Sequence, residues 1–156
     1  MLYTRDHDSA GDDLSHRLHS AQAITPDLMS DVIYATCTRL PLLNQSGLVA
    51  ARINRLMQSS AWVDACLALI EVELPGWTLR RLAYDDGEWH CALSNQPNLP
   101  VELDDTVDTS HHDLALALLS AFVEACRSAL AVAGESARGP QVQAATAHVV
   151  CCDNFA

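Results

Sequence analysis

The chain predicts an α+β domain: N-terminal helices, a small antiparallel sheet built around a hairpin at 77–94, and a long C-terminal helix packed on that sheet. Three observations carry this. Apolar residues recur with a helical period between Thr25 and Glu73. Two short runs rich in aromatic and apolar residues flank Asp85-Asp86-Gly87. The run LALALLSAFVEACRSAL, 114–130, is apolar nearly all round, which suits a helix central to a core or half covered by a second subunit.

Residues 1–23 mix Asp, His, Ser and Gly with few apolar anchors, so this segment is expected to be poorly ordered, with Leu14 and Leu18 enough for one helical turn. Thr25 is placed to cap a helix that has Pro26 at its first position and Asp27 in its first turn. Leu28, Val32, Ala35 and Arg39 trace its stripe, and it should stop before Pro41. A second helix is predicted from near Ser46 to Gln58. After Ser59-Ser60, a third runs from Ala61 to Glu73 with Val63, Leu67, Ile70 and Leu74 as its apolar face, ending at Pro75-Gly76.

In the hairpin, Asp85-Asp86-Gly87 reads as a three-residue loop with Gly87 left-handed. That register sets Trp77, Leu79 and Ala83 on one face with Trp89, Cys91 and Leu93. Thr78, Arg80, Leu82 and Tyr84 then lie on the other with His90 and Ala92; a loop of two or four residues would reverse this. Arg81 falls on the apolar face, so it should lie at the sheet margin or find an acidic partner. Leu99, Val101 and Leu103 alternate as a third, edge strand, and an acidic linker, LDDTVD, leads to a helix capped by Ser110 with Asp113. Gly134 should end that helix. The reading is thus one globular domain, 24–133, with a weakly ordered tail, 134–156, in which VQAATAHVV is the one strand-like run.

At 156 residues the chain is long enough to bury a core without staples. The formal charge is −11, and all nine bases are arginines, which excludes P-loop and Schiff-base lysine chemistry. The same balance argues against nucleic acid as a partner and leaves a basic protein surface open. Ser59-Ser60 joins two helices like a helix-turn-helix, but Arg52 and Arg55 are its only bases, so that reading fails on charge. No run is read as approaching the roughly 20 apolar residues that span a bilayer, and the acidic start is not a secretory signal, so a cytoplasmic protein without membrane contact is expected. None of the six cysteines has C-x-x-C spacing. Cys37, Cys66 and Cys126 read as buried hydrophobes, whereas Cys151-Cys152 lies in a polar tail and is open to oxidation.

The chemistry-bearing residues fall in three groups. Asp85, Asp86, Glu88 and His90 are donors of the kind that bind divalent metals or move protons, although Asp and Gly are also what a turn requires. His111 and His112 precede Asp113 at a helix start and stand near Asp104, Asp105 and Asp108, but adjacent helical residues point about 100° apart and do not clamp one ion together. Asp12, His16 and His19 follow ligand-compatible i, i+4, i+7 spacing, and His148 with Cys151 and Cys152 offers soft ligands in the tail. His90 and Cys91 are adjacent on a strand and so point to opposite faces.

WVDACLALIEVELPGWTLRRL and HHDLALALLSAFVEACR, within 62–127, resemble phage ABA-sandwich-type domains, with Asp64, Pro75, Gly76 and Trp77 the matching positions. The resemblance implies a layered α/β architecture and no catalytic residues. Function is expected to be that of a non-enzymatic interaction or accessory module without a cofactor, possible as a homodimer through the 110–132 helix. Two alternatives stand beside it. One is a metal-assisted hydrolase using Asp, Glu and His near 85–90 or 104–113. The other is an acidic surface, with five carboxylates in 102–113, that binds a basic protein partner.

Overall fold

The computed structural model describes residues 6–43 and 47–137. Six helices and a three-stranded antiparallel sheet make it α+β: α1 (Asp6–Ser20), α2 (Pro26–Thr36), α3 (Arg39–Leu43), α4 (Leu48–Gln58), α5 (Trp62–Glu73), β1 (Thr78–Asp85), β2 (Glu88–Ser94), β3 (Val107–His111) and α6 (Leu114–Ala137). Helix α6 is the hub. It lies against β2 and β3 on one side and meets α1, α2 and α5 on the others, and its Leu116, Leu118, Leu119, Phe122 and Val123 are buried. Over 115–126 the apolar surface of α6 is covered by the sheet and the chain's own helices. The Leu114–Gly134 stretch is, contrary to the sequence reading, long and apolar enough to cross a bilayer, but 56% of its most apolar window is buried within this core.

The N-terminal segment is better organised than its composition implies. Asp6–Ser20 is a fifteen-residue helix rather than one turn, and Leu14 and Leu18 are buried in the common core. Two leucines four apart suffice because α6 supplies the apolar wall they dock on. Thr25 caps α2 as expected, its Oγ1 accepting from the Leu28 amide at 3.2 Å. That helix ends at Thr36, where Cys37 turns extended, and Pro41 lies inside the short α3. Of the predicted α5 stripe Ile70 and Leu74 are buried and Val63 is half-buried, whereas Leu67 is exposed and the buried face widens to Ala65, Cys66, Ala68, Leu69 and Glu73. Burial follows where α6 and α4 lie, not which residues are largest.

The hairpin forms, with a two-residue loop. Asp85 pairs with Glu88, and Asp86 and Gly87 both have positive φ, 48° and 87°. That is the I′ class favoured by Asp-Gly, whose twist matches that of the strands. Tyr84 therefore faces Trp89 and Leu82 faces Cys91, the reverse of the expected faces. The register shifts between Leu79 and Arg81, and this bulge returns Leu79 to the side of Leu93, as predicted for that residue.

The third strand is Val107–His111, pairing with β2 from Leu93↔Val107 to Trp89↔His111. The predicted strand at 99–103 is instead a 3-10 turn, Val101–Leu103, in which the Leu103 amide donates to Pro100 O at 3.0 Å. Pro97 and Pro100 leave that stretch short of ladder donors, and the strand signal lay in the alternating Val107, Thr109 and His111. Ser110 belongs to β3. Asp113 caps α6 instead, accepting from the Leu116 amide at 2.9 Å. The helix runs through Gly134 to Ala137, since a glycine costs about 1 kcal/mol inside a helix and does not end it alone.

Candidate functional site

The carboxylates of the hairpin turn stand in solvent. Asp85, Asp86 and Glu88 are exposed at the hairpin tip, and His90 lies on the sheet face turned away from α6, opposite Ala83. Cys91 points into the core on the other face, where burial pushes its thiol up to about 12. Burial does the same to Cys37, Cys66 and Cys126, so these four thiols are protonated at neutral pH and are poor nucleophiles.

His111 is in β3 rather than at a helix start, and it is buried against the end of α1. Its Nδ1 accepts from the Asp113 amide at 3.0 Å, while Nε2 is buried without a hydrogen-bond partner among the described residues. Burial first, and then the neighbouring His112 ring at 4.2 Å, lower its pKa, while the His19 carbonyl, the Asp113 carboxylate and the Ala21 carbonyl pull the other way. His112 is exposed. Asp12, His16 and His19 lie on α1, all exposed. Among the described residues no group of three or more His, Cys, Asp or Glu gathers to hold a metal. His148, Cys151, Cys152 and the VQAATAHVV run lie outside the described residues, as does Ser46.

Two buried polar clusters were not visible in the sequence. The Asp104 carboxylate is fully buried and ion-pairs with Arg80, the residue at the bulge. Ser94 Oγ donates to its Oδ1 at 2.8 Å, and Arg80 Nη2 also donates to Leu99 O at 2.8 Å. The arginine that finds an acid is thus Arg80, while Arg81 is exposed. The second cluster is Glu73, whose carboxylate accepts the amides of Thr38, Arg39 and Leu40 at 3.0, 2.9 and 2.5 Å. These are amides at the start of α3, where a negative charge is favoured. A carboxylate in the last turn of α5, at the wrong end of its own dipole, was the available signal. Both clusters hold loops in place.

A cleft of about 300 Å³ between α1, β3 and α6 is lined by Ser15, Leu18, His19, Thr109, Ser110, Ser120 and Glu124. Its carboxylate is already engaged, with Ser15 Oγ at 3.1 Å and Arg127 Nη1 at 3.0 Å. Of the residues singled out as candidate metal or catalytic groups, His19 is the one that lines this cleft.

The surface that stands out is β1. The sheet order is β1-β2-β3, so β1 is an edge, and α6 covers β2 and β3. Every residue of β1 except Arg80 and Ala83 is exposed. On its α6-facing side Leu79, Leu82 and Tyr84 are 37%, 40% and 61% accessible, beside the half-buried Trp89. The Tyr84 and Trp89 rings stand 5.1 Å apart at 53°, a tilted pair that stiffens this face. Since Asp85↔Glu88 closes a two-residue hairpin, it exchanges backbone bonds, and alternation turns the amide and carbonyl groups of Leu82 and Tyr84 outward. Comparison with family models, with curated proteins and with solved structures gave no match.

Proposed function

We propose that this chain is a non-enzymatic interaction module that accepts a β-strand on the open edge of β1. The observation that carries this reading is an eight-residue strand that is an edge among the described residues, with outward backbone groups and three exposed large apolar side chains on one face. The hydrolase alternative has less behind it, since Asp104 pairs with Arg80 and Asp113 caps α6. The acidic-surface reading keeps Glu102, Asp105 and Asp108 exposed. Buried free thiols at Cys37, Cys66, Cys91 and Cys126 suit a reducing compartment such as the cytoplasm.

Selection of extended heptapeptides from a display library tests the reading. Enriched peptides should bind the wild-type domain and lose binding to Leu82→Pro, which removes an outward amide without touching the ladder to β2. Peptides that ignore this change, or a library that yields none, would overturn it.

A further inference from the structure

Resting on that reading of the β1 edge, we infer that its partner is a second copy of the chain, the two β1 strands pairing antiparallel about Ala83. The segment beyond the bulge, Arg81-Leu82-Ala83-Tyr84-Asp85, is complementary to itself when reversed. A two-fold axis at Ala83 sets Arg81 opposite Asp85 of the second copy, Leu82 opposite Tyr84, and Ala83 opposite Ala83. Each unlike pair then occurs twice, as an isologous interface requires.

The faces agree as well. Arg81, Ala83 and Asp85 lie on the side turned from α6, and Leu82 and Tyr84 lie on the apolar side with Cys91 and Trp89. Ion pairs thus form on the solvent side and apolar pairs on the other, and the outward backbone groups of Leu82 and Tyr84 bond each other across the axis. Moving the axis to Leu82 sets Arg81 opposite Ala83, and moving it to Tyr84 sets Asp85 opposite Ala83; neither register makes an ion pair. Registers displaced by one residue place the two apolar faces on opposite sides of the joint sheet.

A second observation calls for a cation at this place. Asp85 and Glu88 are directly opposed in the hairpin, and like charges so placed repel. Neither Asp85 nor Arg81 makes an ion pair among the described residues. Arg81 of the second copy would stand opposite Asp85, one strand from Glu88, and so complete this three-charge set twice over.

Sedimentation equilibrium of the full chain with charge-swapped variants tests this. The wild type should dimerise, and Arg81→Asp and Asp85→Arg should each weaken the dimer about tenfold or more, since each replaces two attractions with two repulsions. Mixing the two single variants should restore association as a heterodimer, and the double variant Arg81→Asp/Asp85→Arg should dimerise again. Both positions are exposed, so unchanged far-ultraviolet circular dichroism is expected throughout. A wild-type monomer up to millimolar concentration, or a dimer indifferent to both single changes, overturns the self-pairing. Display peptides that still bind the β1 edge of such a monomer would leave the docking surface standing and end only the assignment of its partner.

Discussion

Helix α6 and strand β1 are both rich in apolar residues, yet one is the centre of the molecule and the other is almost bare. In α6 ten consecutive or near-consecutive side chains between Ala115 and Cys126 are buried. In β1 no residue is. The difference is the number of neighbours each element has. The sheet and three helices surround α6, while β1 pairs along one edge with β2 and with no other strand among the described residues. Apolar content records what a segment can bury, and position in the fold decides what it does bury. What remains uncovered on a regular element is then a candidate surface for association.

The comparison breaks most severely at its buried end. Leu118→Asp places an unpaired carboxylate among fully buried side chains, and a loss of about 4 kcal/mol or more is expected, enough to unfold the domain in urea-melt experiments. If α6 were instead an interface helix, the variant would be a folded monomer.

On β1 the one residue with a structural task is Arg80. Arg80→Met leaves the buried Asp104 without its cation, which should cost about 3 kcal/mol, near the low end for broken buried pairs because Arg80 keeps some solvent access. A double change with Asp104→Leu should recover much of the lost urea midpoint. Recovery would assign the loss to the orphaned carboxylate and not to the strand.

The covered strand β3 supplies a smaller, pH-dependent effect. The His111 pKa is lowered from its ordinary 6.5 in the folded chain. Below that ordinary value the unfolded chain therefore binds more protons than the folded one, and stability falls as pH falls. The contribution is complete above about pH 7 and lessens as the pH drops through 6.5 toward the folded-state pKa. Urea midpoints at pH 7.5 and 5.5 should differ more for the wild type than for His111→Phe; equal differences would remove His111 as the cause.

The smallest change in stability belongs to the exposed end. Leu82→Lys should alter the stability of the monomer by no more than about 0.5 kcal/mol, as is usual at accessible positions. A loss several times larger in a dilute urea melt would show that β1 is packed, and that the contrast with α6 is not one of exposure.

Thr25 as a cap, the stop after Glu73, the Asp-Gly turn and the apolar character of α6 were all legible along the chain, because each depends on residues a few positions apart. The strand register was not. One loop residue reverses every side chain of β1, and whether Asp85 belongs to the loop or the ladder is decided by strand twist. The third strand was hidden because Asp104, Asp105 and Asp108 make its surroundings look like a linker, and its inward residues become visible only against Leu93 and Cys91. The order of α1 came from α6, about a hundred residues away, with Ser15 meeting Glu124. The tasks of Glu73, Arg80 and His111 came likewise from partners that no local pattern names. Local chemistry determined which elements exist. Their faces, edges and polar partners were decided when distant segments met, because burial and pairing are properties of the neighbours and not of the residue.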